Sequence, residues 1–362
     1  MQFVPTEEQQ QFREMVSRFL AAESPAAEVR RQMQSETGFD REVWRRMAQE
    51  VGLPALMVPE RYGGAGFGMV EVGIAMEEMG RALYCGPYFG SAVLGVAALL
   101  NCADEAARAR LLPRIASGET LAALAGSYRA PQVVRDGNVL SGTARPVVDG
   151  MASDVLLVVA AGPGGAELHE VDPLAAGVHR RPLEVIDPTR RLAELRLQGA
   201  PARLIGSAGE GLTRALDLGV IALAGEMAGG AQRLFDDTLD YLKLRVQFGR
   251  TIASFQAVKH RCAELLLNVE LAKSAACHAA AAADDNDPHL GYHASLAKAG
   301  VADAYMLVAA EAIQLHGGIG FTAEQDTQLY YKRAKASEVL LGNPAWHRER
   351  MISDLESREE AA

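Results

Sequence analysis

The sequence is poor in cysteine, in positive charge and in long apolar runs. Four cysteines in 362 residues are too few for a disulfide framework at this length, and they lack the paired spacing of metal ligands. The 36 Lys and Arg are outnumbered by 46 Asp and Glu. This balance argues against a nucleic-acid partner, because sequence-independent binding needs clustered positive charge to neutralise phosphates.

Two kinds of targeting segment are also missing. No apolar stretch approaches the roughly 20 residues of a membrane span. The acidic start, with Glu7 and Glu8, is not the basic segment that precedes the apolar run of a secretion signal. We therefore expect a cytoplasmic protein without a membrane partner.

The pattern of apolar and turn-forming residues changes twice along the chain. Helical periodicity marks residues 1–118, where Thr6 and Gln9 form a candidate capping box. Short alternating runs separated by turn residues mark a small β domain at 119–206, and helical periodicity returns over 207–362. The pattern predicts three domains of a mainly α protein in the α+β class.

An acidic cluster at 284–288 interrupts the last helical segment. It could form a metal loop, but an inter-helix turn with Asp287 as N-cap and Pro288 at the first helical position explains it better. We predict the turn and no metal site.

Two glycine-rich segments are candidates for ligand binding. The run at 63–68 lacks G-x-G-x-x-G spacing and a strand–turn–helix context, which excludes a Rossmann dinucleotide site. The segment at 314–321 ends a long helix with glycines that admit a positive φ and a close ligand. On its own, an ordinary glycine C-cap of the helix would be the favoured interpretation.

Other motifs accompany this segment in a characteristic order. Three of them follow one another in the last third of the chain: Arg245-Val246-Gln247-Phe248-Gly249, then Phe255-Gln256, then Gln314-Leu315-His316-Gly317-Gly318-Ile319-Gly320-Phe321. A fourth motif lies far upstream, with the sequence Pro59-Glu60-Arg61-Tyr62-Gly63-Gly64. Together they resemble the signature of the acyl-CoA dehydrogenases over nearly the whole chain. The resemblance implies a helical N-terminal domain, a β-barrel-like middle domain and a C-terminal four-helix bundle.

The resemblance also implies FAD as cofactor, bound across a dimer interface. Family members use the arginine and aromatic of the R-x-x-F-G motif for the pyrophosphate and adenosine portions, and the Q-x-x-G-G segment closes over the cofactor from the neighbouring subunit. The implied contacts here are Arg245, Gln247, Phe248, Gln256, Gln314, Gly317 and Gly318. Alternatives remain: Phe248 could be a core residue and Gln256 a helix-surface amide. His316 lies inside the motif and is expected to be a polar helix-end residue rather than a catalyst.

The family's reaction needs a carboxylate that removes the α-proton of an acyl-CoA thioester while a hydride leaves the β-carbon. By resemblance this glutamate would stand at position 341, where the chain has Leu341, or two residues after the substrate-contacting Asp217, where it has Gly219. Neither of the two usual base positions therefore has a carboxylate side chain. Glu226 and Glu338 are weaker candidates, for which a structural role is favoured.

The loop that contacts the flavin ring in the family also departs from the pattern, with Ala-Gly-Ser-Tyr-Arg-Ala-Pro-Gln at 125–132. Contacts offered to a partner subunit are thus kept, while the chain's own are in doubt. This asymmetry resembles short subunits of heteromeric acyl-CoA dehydrogenases of fatty-acid or steroid side-chain degradation. We expect a homo- or hetero-oligomer, such as an α2β2 tetramer with a longer homologue, and an electron-transfer flavoprotein as acceptor.

Two other hypotheses stay open from the sequence. One is a self-sufficient homomeric acyl-CoA dehydrogenase with an unconventional base. The other is a non-enzymatic homologue that binds a CoA ester or serves as a scaffold.

Overall fold

The structure, a computed structural model, describes residues 5–361. They divide into two compact units. The first unit contains the described residues up to Val29, Gly73–Tyr84 and the chain from Leu223 onward. The second unit contains Arg30–Val72 and Cys85–Ala222.

Helices dominate both ends of the described chain. Within residues 5–361 the α-helices are α1 (Glu7–Glu23), α2 (Ala26–Gln34), α3 (Arg41–Arg46), α4 (Met69–Arg81), α5 (Val96–Cys102), α6 (Glu105–Ala116), α7 (Gly209–Leu244), α8 (Gln256–Asp284), α9 (Leu290–His316), α10 (Thr327–Val339) and α11 (Pro344–Ala361). No helix in this range is both long and apolar enough to cross a bilayer.

Strands occupy the middle of the chain, with a small hairpin further on. They are β1 (Ala122–Ala125), β2 (Val133–Asp136), β3 (Val139–Val148), β4 (Val155–Gly162), β5 (Gly165–Val171), β6 (Val178–Pro182), β7 (Leu192–Pro201), β8 (Arg203–Ser207), β9 (Val246–Gln247) and β10 (Arg250–Thr251). The main sheet has the order β6-β7-β3-β2-β4-β5-β8, with β1 paired to β4. β9 and β10 form a separate two-stranded sheet.

The main sheet is the core of the second unit. Its inward positions alternate along the strands, as at Leu195 and Leu197 of β7, which are buried with Leu156 and Val158 of β4. This period of two is what places one face of each strand in the interior. In the same unit, Trp44 is fully buried and its indole N–H donates to the Gly118 carbonyl at 3.0 Å.

Long helices form the core of the first unit. α9 is rich in alanine and packs against α8, α10 and α11. At Gly230 of α7 an added Cβ would lie 2.5 Å from the Tyr305 hydroxyl of α9. The glycine is therefore required by helix–helix packing rather than by backbone conformation.

The predicted fold class is confirmed: the protein is mainly helical, with a central sheet and helical N- and C-terminal parts. The Thr6–Gln9 capping box is present with both reciprocal hydrogen bonds. The domain boundaries at 118/119 and 206/207 stay a prediction.

The segment that joins α8 to α9 is a turn, as predicted. The predicted helix start was wrong, because α9 begins at Leu290 rather than at Pro288. The Asp287 carboxylate accepts the N–H of His289 at 2.7 Å. This local Asx-type bond stabilises the turn and delays the helix.

Candidate functional site

The R-x-x-F-G motif forms the tight hairpin of β9 and β10. Phe248 and Gly249 are its two central residues, and both have positive φ, 54° and 75°. A two-residue turn with both φ values positive is the type I′ turn that matches strand twist. Glycine suits the second position, whereas a phenylalanine in this region carries backbone strain.

The side chain of Phe248 is also unusually exposed to solvent. Phe248 is 91 % exposed, so the core alternative for this residue was wrong. Its ring meets Phe255 edge to face at 6.3 Å, and the Arg250 guanidinium lies 3.9 Å above the Phe255 ring. Gln247 and Arg245 are also exposed. The hairpin therefore presents an aromatic ring and cationic groups outward, where a planar anionic ligand or a second chain can contact them.

The N-terminus of α8 lies directly after this hairpin. Gln256 is its first residue and is exposed, and the N-cap Phe255 provides no side-chain hydrogen bond to the helix. The first N–H groups of a helix need an acceptor from outside, and the helix dipole favours an anion there. An uncapped start on a 29-residue helix suits phosphate oxygens.

The Q-x-x-G-G segment ends α9. Gly317 has φ 66° and ψ −147°, a conformation essentially restricted to glycine. Gly318 has no positive φ, and a Cβ added there would meet nothing within 4 Å. Gln314, Gly317 and Gly318 are all exposed. Nothing within the described chain requires glycine at 318, and the space beside it is open.

Tyr241 brings the two motifs together. Its ring stacks on His316 with centroids 4.3 Å apart, and its hydroxyl donates to the His316 carbonyl at 3.2 Å. His316 is buried and its Nδ1 lies 2.8 Å from the Ala312 carbonyl. These contacts agree with the expected role of His316 as a polar helix-end residue rather than a catalyst. The end of α7, which leads into Arg245, is fixed against the glycine segment.

The position predicted for the usual base lies in the turn between α10 and α11. Leu341 and Gly342 both have positive φ, 59° and 108°. A Cβ on Gly342 would lie 2.6 Å from the Trp346 ring and 2.9 Å from His347 Nε2. Leu341 is half-buried. Its apolar side chain cannot accept a proton.

The two weaker carboxylate candidates are engaged in ion pairs. Glu226 of α7 is buried, and its carboxylate lies 2.7 Å from the buried guanidinium of Arg333 on α10. Glu338 lies 2.6 Å from Lys335, one turn earlier on α10, in an exposed pair. Both contacts agree with the favoured structural roles.

We expect Arg333→Met to lower the free energy of unfolding by about 3–5 kcal/mol, because it leaves the Glu226 carboxylate buried without its cation. The double change with Glu226→Met should regain most of that loss. Denaturant unfolding followed by circular dichroism measures both. Lys335→Met is the matched control, with an expected cost of about 0–1 kcal/mol for its exposed pair. Equal small effects at 333 and 335 would show that Glu226 is not needed as a structural partner.

The position predicted for the alternative base lies in the second unit. Gly219 and Val220 of α7 are buried and bring neither a carboxylate nor a guanidinium. Asp217, one half-turn earlier, is buried and accepts a hydrogen bond from the Tyr128 hydroxyl at 2.7 Å. Tyr128 belongs to the loop at 125–132 that departs from the family pattern. Asp217 as a substrate contact stays a prediction.

Three residues of these sites were missed from the sequence: Tyr128, Lys298 and His347. Lys298 and His347 are fully buried next to the turn at Leu341. A lysine on the otherwise apolar face of α9 was the available signal, because a buried lysine needs hydrogen-bond partners. Tyr128 left no signal, because its partner is distant in sequence.

Comparison with known proteins identifies the family. Residues 6–119 match the sequence profile described as "Acyl-CoA dehydrogenase, N-terminal domain", and residues 210–355 match "Acyl-CoA dehydrogenase, C-terminal domain". The acyl-CoA dehydrogenase IpdE2 of Mycobacterium tuberculosis is 36 % identical over 343 residues, 94 % of this chain and 95 % of that protein. This chain belongs to the acyl-CoA dehydrogenase family. Its relatives are oxidoreductases that act on CH–CH groups and bind FAD.

Solved structures of acyl-CoA dehydrogenases share the fold. The ChsE4–ChsE5 complex from Mycobacterium tuberculosis has a chain with a TM-score of 0.90 at 27 % identity, covering 98 % of this chain and 99 % of that one. A variant of the Tcur3481–Tcur3483 steroid acyl-CoA dehydrogenase gives 0.89 at 29 % identity, with coverages of 98 % and 99 %. Butyryl-CoA dehydrogenase from Megasphaera elsdenii, at 21 % identity with 98 % and 100 % covered, also gives 0.89 and shows the fold alone.

The residues present fit FAD. Gly317 and Gly318 leave open space beside the backbone, and the start of α8 offers N–H groups to an anion. Arg245 makes no ion pair within residues 5–361, and its exposed guanidinium suits bidentate bonding to phosphate. The exposed Phe248 ring suits stacking or contact with an aromatic group.

Proposed function

We propose that this chain is a subunit of an FAD-dependent enzyme that desaturates an acyl-CoA thioester between its α- and β-carbons, and that a partner chain supplies the carboxylate base. FAD, when bound, accepts the hydride from the β-carbon. One observation carries the proposal: the groups suited to FAD are present, while Leu341 stands where the family's base belongs.

The reaction needs residues that bind the cofactor and a residue that accepts the α-proton of the substrate. Arg245, Phe248 and the glycines at 317 and 318 are exposed for binding. On the proton side, Leu341 and Gly219 have no acidic group, and Glu226 is committed to Arg333. General-base assistance contributes about 10²–10⁴-fold to such reactions, so a chain without it needs another source.

The structural relatives support a two-chain assembly. The ChsE4–ChsE5 and Tcur3481–Tcur3483 names each describe two different chains, and the second is called a steroid acyl-CoA dehydrogenase. We therefore place a steroid-derived acyl-CoA first among the substrates to test, with straight-chain esters beside it. An electron-transfer flavoprotein as acceptor and a cytoplasmic location stay predictions.

Exposed apolar residues on the helical bundle support oligomerisation through it. Leu267 and Leu271 of α8 are each 60 % exposed and lie four residues apart, so they share one face of the helix. Leu244 and Phe248 are more exposed still, near the FAD motifs. Apolar surface concentrated in this way marks an interface, and the family places FAD across such an interface.

We expect the purified protein to be yellow and to behave as a dimer or a dimer of dimers, with a longer homologue co-purifying when the two are co-expressed. Leu267→Glu combined with Leu271→Glu should dissociate it and release FAD, because two charges would be buried in the interface. Mass photometry and flavin absorbance measure the two effects. Leu174→Glu is the control, since Leu174 is 85 % exposed outside the bundle.

The same preparation separates the alternatives. A strict monomer that holds one FAD would contradict the two-chain site. A colourless protein that binds a CoA ester would indicate the non-enzymatic homologue, and a yellow homo-oligomer with full turnover would indicate a self-sufficient enzyme.

A further inference from the structure

A cavity of about 330 Å³ lies within the first unit, among α1, α2, α4, α7 and α10. This volume is at the small end of the range for ligand sites, so it suits a molecule much smaller than a CoA ester. None of its described lining residues belongs to the FAD motifs or to the two predicted base positions. The cavity is therefore not part of the site on which the proposed function depends.

The inner wall of the cavity is apolar. Leu20 of α1, Val29 of α2 and Leu329 of α10 line it and are almost fully buried. An alkyl group that enters this space leaves water and packs against aliphatic side chains, which is favourable. The wall therefore suits the hydrocarbon part of a ligand.

Leu83, just after the end of α4, completes this wall. Its φ is 47°, and the N–H groups of Leu83 and Tyr84 donate to the carbonyls of Gly80 and Met79. These two bonds form the helix ending that usually has glycine at the left-handed position, where a side chain carries strain. Leu83 instead places a buried isobutyl group against the cavity.

The end of α4 beside the cavity is closed by two hydroxyl groups. The Tyr330 hydroxyl donates to the Arg81 carbonyl at 2.6 Å. The Ser24 hydroxyl donates to the Ala82 carbonyl at 3.3 Å. Burial raises the pKa of Tyr330, so its hydroxyl is protonated at neutral pH and can donate. Open carbonyls at a helix end attract a cation. Because these two are bonded, the end of α4 does not favour a cationic ligand.

Two guanidinium groups lie at the rim of the cavity. Arg233 donates through Nε to the Asp237 carboxylate at 2.9 Å, and Nη2 of Arg81 lies 3.4 Å from the Asp236 carboxylate. A guanidinium has five N–H donors, so both arginines have donors to spare after these bonds. The carboxylates that line the cavity, Asp237 and Asp326, already interact within the chain. The rim therefore offers more hydrogen-bond donors than acceptors.

We propose that this cavity binds a small carboxylate with an apolar tail, such as a medium-chain fatty acid. The tail lies against Leu20, Leu83 and Leu329, and the carboxylate accepts hydrogen bonds from Arg81 and Arg233. Charge-assisted bonds of this kind are strong and suit the planar geometry of a carboxylate. The inference goes beyond the proposed function, because this binding needs neither a base nor a CoA ester.

The test compares three probes that share one tail and differ in the charge of the head group. Octanoate, octanol and octylamine are titrated separately, below their micelle concentrations, into the FAD-loaded full chain at neutral pH. Isothermal calorimetry measures each affinity. Octanoate should bind at least tenfold more tightly than octanol, because only its head group forms charge-assisted bonds. Octylamine should bind most weakly, since its cation meets two arginines.

Four variants locate the site. Arg81→Met and Arg233→Met remove the donors with little change in size, and each should weaken octanoate binding about tenfold. Ala21→Trp, at an exposed lining position of α1, should block the cavity. Arg18→Met is the matched control, because it removes an exposed arginine of α1 outside the cavity. Arg233 is exposed, so its variant keeps the test open if Arg81→Met does not fold.

Three results would count against the proposal. Tighter binding of octylamine than of octanoate would overturn the assignment to a carboxylate. Octanoate binding that is unchanged in both Arg233→Met and Ala21→Trp would overturn the location. Failure of the unmodified protein to bind octanoate would overturn the site as a whole. The proposed function would stand in each case, because flavin content and bleaching by acyl-CoA are measured independently.

Discussion

Arg245→Ala should strip FAD from the protein while leaving the fold intact. The guanidinium is exposed on the segment that leads into the β9–β10 hairpin and has no ion pair within the described residues. Its loss removes a charge-assisted contact to phosphate of about 2–3 kcal/mol, which corresponds to roughly 30- to 150-fold weaker FAD binding. Flavin absorbance of the purified variant, with apo-protein titration by FAD, measures the change.

Lys243→Ala is the matched control for this experiment. It removes the same charge two residues earlier, from an exposed side chain that pairs with Asp240. A general electrostatic effect would weaken FAD binding equally in both variants. Full retention of flavin by a folded Arg245→Ala protein would show that this arginine does not contact the cofactor.

Leu341→Glu should raise the rate at which a saturated acyl-CoA bleaches the flavin of the isolated chain. The change places a carboxylate where the family has its base, and a positioned general base contributes about 10²–10⁴-fold. The half-buried carboxylate should also lower stability, because charge is moved away from water. Anaerobic stopped-flow absorbance follows the bleaching directly.

Leu341→Gln separates basicity from size. The glutamine is nearly isosteric with the glutamate but does not act as a base at neutral pH, so it should share the structural effects without the gain in rate. A gain of equal size in both variants would indicate a repacked pocket rather than a restored base.

Several features of the fold could be predicted because they depend on neighbours in the sequence. The Thr6–Gln9 capping box spans four residues. Leu195 and Leu197, two positions apart, mark the buried face of their strand directly. The wrong prediction of Asp287 as a helix N-cap also concerned residues that are close together in the sequence. A side-chain bond to the N–H of His289 competes with helix initiation, and both patterns use the same residue types.

Features that depend on distant partners could not be predicted. The exposure of Phe248 follows from a type I′ turn that places it at the hairpin tip, whereas the sequence alone left a core position open for this residue. The Glu226 carboxylate is paired with Arg333, which lies more than one hundred residues later. The grouping of Lys298 and His347 around Leu341 likewise needs α9, α10 and α11 in place. The FAD contacts and the absent base stay predictions.

The central claim is that this chain can take part in acyl-CoA desaturation but lacks its own base. The most direct measurement is the anaerobic rate of flavin bleaching by the unmodified, FAD-loaded chain with saturated steroid-derived and straight-chain acyl-CoA, alone and after assembly with a longer, base-bearing homologue. We predict very slow bleaching alone and an increase of about 10²-fold or more in the complex. Rapid bleaching by the chain alone, unaffected by Glu226→Gln or Glu338→Gln, would contradict the account.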